Sequence, residues 1–148
     1  KNSDIPEICS LIMKVFMANV ASYYTEKGIK EFEKITTPEK TYARIENGFF
    51  MLVAENQNNE IVGVIEIRNK SHVSRLFVDV DYQRCGIARR LFQAAIDEYI
   101  LPNKVAVITV NSSPNAQDAY QHLGFVRQGE ASSPDNGIIS IPMKFSIV

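Results

Sequence analysis

A short loop joins a predicted strand to a predicted helix in the middle of this chain, and its residues are Gln83-Arg84-Cys85-Gly86-Ile87-Ala88. The segment before it, 74–80, is rich in residues that favour extended structure. The segment after it, 89–96, has the apolar periodicity of a helix. This pattern places the N-terminus of a helix close to the end of a strand, with only a short loop between them.

That arrangement predicts an anion site. The first N–H groups of a helix have no partner within the helix, and the helix dipole adds partial positive charge there. Gly86 allows a ligand to approach the backbone closely, and Arg84 and Arg89 add full positive charge. The dinucleotide fingerprint and the P-loop both need glycine patterns that this chain lacks. The loop therefore predicts a phosphate or pyrophosphate site, with an ordinary solvated loop as the alternative.

Size and composition favour one globular domain over residues 1–148. The apolar fraction of 45% and the charged fraction of 22% are typical of soluble proteins. The net charge of −1 gives no indication of a nucleic acid or an anionic membrane as partner. The longest apolar run, 49–54, is too short to span a bilayer. We therefore expect neither nucleic acid nor membrane to be a partner.

The cysteines and histidines are few. Cys9 and Cys85 do not form a disulfide framework, which predicts a reducing compartment and a cytoplasmic protein. With only His72 and His122 beside them, no group has the spacing of metal ligands, and we expect no metal.

The order of predicted elements indicates the fold class. Helices come first, then antiparallel strands, then two strand–helix units and two final strands. The predicted helices cover 5–17, 29–35, 37–45, 86–100 and 113–124, and the predicted strands cover 49–55, 61–68, 72–80, 104–110, 125–128 and 138–146. This order predicts an α/β or α+β domain with a mixed sheet flanked by helices.

Two motifs resemble signatures of one enzyme family. The loop at 83–88 matches Q/R-x-x-G-x-G/A and, with Leu76-Phe77-Val78 before it, resembles the acetyl-CoA signature of the GNAT superfamily of N-acetyltransferases. The stretch 110–125 resembles the second GNAT signature, in which an asparagine-containing strand end leads into a helix that closes with Tyr-x-x-x-Gly-Phe. The resemblance covers nearly the whole chain and lacks only the strand with which the family opens. We therefore expect a natural N-terminus beyond Lys1 and a missing sheet edge.

The resemblance implies a function and a set of cofactor contacts. It implies direct transfer of an acetyl group from acetyl-CoA to a primary amine of a small molecule or peptide. A CoA-binding regulatory module without turnover is the alternative. The backbone of Leu76, Phe77 and Val78 is expected to bind the pantetheine arm as an added strand. The loop from Arg84 through Arg89 is expected to hold the pyrophosphate, and Asn111 and Asn115 to contact the pantetheine or the lower part of the cofactor. The alternative roles are a cap of the strand for Asn111 and stabilisation of the first helical turn for Asn115.

Tyr120 matches the general acid of the family, and Glu66 matches a glutamate that relays a proton through water. Tyr120 lies in an apolar helical stripe, and this pattern alone favours a core tyrosine. Glu66 reads equally as a solvated or salt-bridged edge residue. His72 and Asp79 are further candidate bases. The acceptor amine cannot be read from the sequence, and a homodimer is left open.

Overall fold

The computed structural model describes residues 2–132 and 139–147. The helices are α1 Ile5–Val15, α2 Glu26–Ile35, α3 Pro38–Glu46, α4 Ile87–Ala95 and α5 Gln117–Leu123. The strands are β1 Phe50–Glu55, β2 Ile61–Arg68, β3 His72–Val78, β4 Val107–Ser112, β5 Val126–Arg127 and β6 Ile141–Ser146. A six-stranded sheet flanked by helices confirms the predicted fold class.

The strands follow one another across the sheet in the order β1-β2-β3-β4-β6-β5. Neighbouring strands are antiparallel except β3 and β4, which run parallel. The connection between the two parallel strands passes through α4, as parallel strands require a crossover. The mixed sheet agrees with the element order, and its mostly antiparallel pairing agrees with the fold that the GNAT resemblance implies.

Helices cover both faces of the sheet. On one face α4 and α5 pack against β2, β3, β4 and β6, in a core that includes Ile65, Phe92 and Ile108. Gly63 lets α4 lie close to β2, since a Cβ at this position would stand 3.0 Å from Leu91. On the other face α1 packs against Val64 and its neighbours. Each face of the sheet therefore has its own core. The cluster of Glu66, Arg44 and Arg75 described below lies on the face that carries α1 to α3.

The N-terminal helix is longer than α1 alone. A π-helical turn, Phe16–Val20, and a 3-10 turn, Ala21–Tyr23, continue it without a break. The whole segment Asn2–Tyr23 has 22 residues and is long and apolar enough to cross a membrane by length and composition. Half of its most apolar window is buried inside the domain. Core helices of soluble proteins and N-terminal signal sequences both reach this length and composition, and here the apolar residues of α1 pack on the sheet.

A β-bulge in β3 changes the course of that strand. Ile67 faces Val73 and Glu66 faces Arg75, so Ser74 is an extra residue on β3. Such a bulge bends the strand that carries it. Among the described residues, β3 pairs with β4 only at His72–Thr109 and Val73–Val110. Past the bulge, residues 74–78 have no ladder partner on β4, and a gap opens between the carboxyl halves of the two strands.

Several strand boundaries differ from those predicted. β3 ends at Val78 instead of at 80 because the Asp79 carboxylate accepts from the backbone N–H of Asp81 and starts a turn. β4 begins at Val107 instead of at 104, since Lys104 has a left-handed backbone, with φ of 59°, and closes a turn. The predicted start of the last strand, Ile138, lies outside the described residues.

The helix predicted to begin at Ser113-Pro114 begins as a 3-10 turn, Pro114–Ala116, before α5. The Ser113 side chain makes no capping hydrogen bond. The other end agrees with the prediction: Gly124 follows α5 in the left-handed conformation, with φ of 111°. A side chain there would also meet the Phe145 ring at 2.8 Å.

Candidate functional site

The loop between β3 and α4 leaves backbone donors available. Arg84 and Gly86 both have left-handed backbone, with φ of 64° and 81°. Gly86 is the N-cap residue of α4, and it supplies no side-chain cap. The first N–H groups of α4 are therefore left for a ligand, and Arg84, Cys85 and Gly86 are all exposed beside them. This geometry suits an anion, as the sequence predicts.

The loop is held in place by side chains on both of its flanks. The Gln83 side-chain amide donates to the Val78 carbonyl and to Asn19 Oδ1, both at 3.0 Å. Asp79 pairs with Lys14 of α1 at 3.0 Å. The backbone N–H of Asp81 and the Lys14 ammonium hold the pKa of the Asp79 carboxyl below its usual value. Gln83 and Asp79 therefore fix the loop to the end of β3 and to the N-terminal helix.

Arg89 links two helices. Its Nη2 donates to the backbone carbonyl of His122 at 2.6 Å. The first turn of α4 is thereby tied to the last turn of α5, across 33 residues of sequence. Contact of Arg89 with a pyrophosphate stays a prediction, and the bond to His122 is a structural role that the sequence does not indicate.

The predicted pantetheine segment borders the gap between β3 and β4. Leu76, Phe77 and Val78 pair with β2 on one side and have no ladder partner on the other among the described residues. An extended ligand can add there as a strand adds to a sheet edge. Asn111 follows the last paired residue of β4, so it lies on the opposite border of the gap. Asn115 is exposed in the 3-10 turn before α5.

Tyr120 combines core packing with an accessible hydroxyl. It is only 8% exposed, and its ring packs edge-on against Phe125. Burial raises the pKa of the hydroxyl. Within residues 2–132 and 139–147 the hydroxyl has no hydrogen-bond partner, although every fully buried side-chain nitrogen and oxygen there has one. The hydroxyl therefore keeps contact with solvent, and the role as an acid stays a prediction.

Glu66 is salt-bridged and fully buried. Its Oε2 accepts from Arg44 Nε at 3.1 Å. Its Oε1 lies 3.6 Å from Arg75 Nε and accepts from Ser74 Oγ at 2.8 Å. The side chain is 0% exposed and lies on an inner strand, so the solvated-edge alternative is wrong. The predicted role of Glu66 as a base stays a prediction. Both of its carboxylate oxygens already face donors, so a proton taken from the amine would have to reach one of these occupied oxygens.

The other two candidate bases lie in different places. His72 stands at the start of β3, at the end of the strand away from the phosphate loop, with Nδ1 2.7 Å from Thr109 Oγ1. Burial, and then the Arg68 charge, lower the pKa of His72 to about 4. Asp79 stands at the other end of β3, where Lys14 already pairs with it. The geometry gives His72 no contact with the gap.

The aromatic residues of the N-terminal helices divide into two groups. Phe16 is 0% exposed and stacks on Phe32 with ring centroids 3.9 Å apart. Tyr24 packs edge-on against Phe16 at 4.9 Å and is half-buried. Tyr23 is exposed. Phe16 is therefore a core residue, and the Tyr24 ring forms the outer side of the same cluster.

Arg44 and Arg75 are the polar residues that the sequence patterns do not single out. One sequence signal does point to Arg75. It lies two residues before Phe77 on β3, and residues two apart on a strand share a face, so Arg75 faces the same apolar side as Phe77. No such signal exists for Arg44, which lies on α3, 22 residues before its partner Glu66. Among the described residues, no group of three or more His, Cys, Asp or Glu is placed to hold a metal.

Comparison with solved structures finds the same fold. A GCN5-related N-acetyltransferase from Rhodopseudomonas palustris superimposes with a TM-score of 0.82, at 20% identity over 98% of this chain and 91% of that one. The PaiA N-acetyltransferase from Thermoplasma acidophilum, solved with coenzyme A, gives 0.79 at 16% identity over 99% and 95%. A spermidine N-acetyltransferase chimera from Vibrio cholerae gives 0.65 at 16% identity over 99% and 91%.

Comparison with curated protein sequences finds no match. Comparison with family models finds one described as "Acetyltransferase (GNAT) domain", which matches residues 20–147. That match covers both motifs, the gap between β3 and β4, and the loop before α4. The chain therefore belongs to the GNAT acetyltransferase family.

Proposed function

We propose that this protein is an acetyl-CoA-dependent N-acetyltransferase that transfers the acetyl group directly to a primary amine. The observation that carries the proposal is the gap between β3 and β4, which begins at the Ser74 bulge and leads to the uncapped start of α4 at Gly86. The family match and the coenzyme A bound to the PaiA structure support the same ligand.

The residues present fit this cosubstrate along its length. The first turn of α4, with the Arg84 charge beside it, would hold the pyrophosphate. The free edge of β3 from Leu76 to Val78 would hydrogen-bond the pantetheine arm. An arm that starts at the loop and follows this edge runs toward Ser74, so the thioester would lie at the closed end of the gap, between Ser74 and Asn111.

The chemistry needs two proton movements. The amine nitrogen forms a bond to the acetyl carbon while the bond from that carbon to sulfur breaks. The amine loses a proton, which Glu66 or a water would take, and the sulfur gains one, which Tyr120 would give. A positioned acid or base typically contributes 10²- to 10⁴-fold in rate. Alignment of the amine with the thioester by the gap contributes through proximity.

Two measurements test the proposal. Calorimetric titration with acetyl-CoA is expected to show saturable binding, and release of the CoA thiol with a panel of amines is expected to show turnover. Absence of binding at millimolar acetyl-CoA would contradict the proposal outright. Binding without thiol release from any amine would instead support the regulatory module.

A further inference from the structure

Two arginines share a single carboxylate beneath α2 and α3. Glu66 pairs with Arg44 and with Arg75. The side chain of Glu66 is 0% exposed, that of Arg44 is 17% exposed and that of Arg75 is 5% exposed. Among the described residues, no second carboxylate lies within ion-pair distance of either guanidinium group. The cluster therefore carries one uncompensated positive charge.

The neighbours of the cluster are neutral. Arg44 donates to Thr41 Oγ1 and to the Ile35 carbonyl, and the Arg75 guanidinium lies 5.0 Å above the centre of the Phe32 ring. Burial, and then the Arg44 charge, lower the pKa of Arg75 to about 10. A buried charge without a partner is costly, and proteins ordinarily pair such groups. The cluster is therefore suited to receive an anion.

One nitrogen of Arg75 is available for that anion. Nη1 donates to Thr36 Oγ1 at 3.0 Å, and Nε lies beside Glu66. Nη2 has no hydrogen-bond partner in the described part of the chain, where every fully buried side-chain nitrogen has one. Nη2 therefore keeps contact with solvent, although the Arg75 side chain as a whole is only 5% exposed.

The position of Arg75 connects it to the reaction. It directly follows Ser74, the bulge residue at the closed end of the gap. By the proposed function, the thioester of acetyl-CoA lies at that end, so an amine that attacks the thioester carries its other groups past Arg75.

We propose that the acceptor is an amino acid or a similar short amine with a carboxylate, and that Arg75 receives this carboxylate through Nη2, with the positive charge of Arg44 beside it. This inference rests on the proposed function. A guanidinium group binds a carboxylate with charge-assisted hydrogen bonds, which are strong in a site that excludes water. The same excess charge opposes polycationic acceptors such as spermidine.

Matched acceptor pairs test the inference. Thiol release from acetyl-CoA would be measured with L-amino acids, β-alanine and γ-aminobutyrate, with the corresponding amino-acid amides, and with spermidine. We expect at least one carboxylate acceptor with a kcat/KM at least tenfold above that of its amide, and no turnover of spermidine. Amides or spermidine that match or exceed the carboxylates would overturn the inference.

Substitutions identify the residues. Arg75→Gln is expected to raise the KM of the carboxylate acceptor at least tenfold and to leave the KM of its amide unchanged. Arg44→Gln is also expected to raise the KM of the carboxylate acceptor. Because the Arg44 side chain is more exposed, this variant replaces Arg75→Gln in the test if Arg75→Gln does not fold. Arg68→Gln removes an exposed arginine from the end of β2 and should change neither value. Equal losses for carboxylate and amide would contradict a role in recognition.

The failure of this inference can be told apart from the failure of the proposed function. If acetyl-CoA does not bind in calorimetry, the proposed function fails. If acetyl-CoA binds and no carboxylate acceptor in the panel is acetylated, the inference fails while cofactor binding stands.

Discussion

The Ser74 hydroxyl lies 2.8 Å from Glu66 Oε1 and 3.2 Å from the backbone carbonyl oxygen of Glu66, and its single hydrogen is shared between these two acceptors. Ser74 is the extra residue of the bulge, and Glu66 is the carboxylate that two arginines share. The bend that opens the gap and the buried charge cluster are therefore joined by one side chain. A change at Glu66 is expected to affect both the stability of the sheet and the region beside the gap.

Glu66→Gln should lower the free energy of unfolding by about 3 kcal/mol, because it leaves two buried guanidinium groups without a counter-charge. Urea denaturation measures the change. Glu55→Gln, at the exposed end of β1, is the matched control and should have an effect below about 0.5 kcal/mol. A loss at Glu66 no larger than that of the control would show that the charge pairs contribute nothing to the fold.

Kinetics of the same Glu66→Gln variant, where it folds, separate the two roles of this residue. A base acts on every acceptor, so its loss lowers kcat for carboxylate and amide acceptors alike and removes the acidic limb of the pH–rate profile. A residue that only positions Arg75 affects the carboxylate acceptor through KM. The second outcome would remove Glu66 from proton transfer.

Tyr120→Phe should lower kcat by about 100-fold, the usual range for a lost general acid. The ring and its contact with Phe125 are retained, and the hydroxyl has no partner among the described residues to lose. We therefore expect acetyl-CoA affinity to be unchanged and the free energy of unfolding to move by less than about 1 kcal/mol. Tyr42→Phe, at an exposed site on α3, is the control. Undiminished turnover in Tyr120→Phe would exclude the hydroxyl from the reaction.

Gly86→Ala should weaken acetyl-CoA binding by about tenfold or more, equivalent to 1.4 kcal/mol. A Cβ at Gly86 meets no atom of residues 2–132 and 139–147 within 4 Å, and it would project into the open space beside the first turn of α4, where the pyrophosphate is proposed to bind. The left-handed backbone adds a folding cost of about 1 kcal/mol.

Gly48→Ala is a closely matched control for that variant. Gly48 also has a positive φ, of 92°, and also has nothing within 4 Å of a built Cβ, but it follows α3. The two variants should lose similar stability in thermal unfolding, and only Gly86→Ala should lose affinity in calorimetry. Equal affinities would place the pyrophosphate elsewhere.

Acidification should destabilise the fold through His72. Its pKa is about 4 in the folded protein against a usual 6.5, so between these values the unfolded chain binds a proton that the folded one does not. The contribution of His72 to the free energy of unfolding is therefore complete above pH 6.5 and declines as the pH falls toward 4. Because the ring is only half-buried, we expect about 1 kcal/mol from this residue.

The measurement compares urea unfolding of the wild type and His72→Gln at pH 7 and pH 4.5, where the variant should lose less stability than the wild type. His122→Gln, on α5, is the control. An NMR titration of His72 with a midpoint near 6.5 would contradict the prediction.

Much of the fold could be predicted because the signals are local. Thr37 before Pro38 predicts the start of α3, and the structure has the Thr37 hydroxyl accepting from the backbone N–H of Lys40. Gly124 predicts the end of α5 and adopts the left-handed conformation there. In each case the deciding hydrogen bond or backbone angle involves residues within one turn of one another.

The candidate site was only partly predictable. The loop at 83–88 is continuous in sequence, so its glycine and arginines could be recognised together. The bulge at Ser74 could not be recognised, because it is a mismatch in register between β2 and β3 and does not depend on the composition of either strand. The joining of Arg44 to Glu66 could not be recognised either, since the chain returns to that point only after 22 residues.

Two motifs in the sequence resemble signatures of the family to which the chain belongs. The sequence by itself determined the order of elements, and it predicted an anion-binding loop. These follow from hydrogen bonding and apolar periodicity within single segments. Only the tertiary structure decided that β3 leaves β4 at the bulge and that two arginines meet one buried glutamate. Strand register and charge pairing depend on which distant segments pack together, and the energetic cost of a buried charge exists only after they have done so.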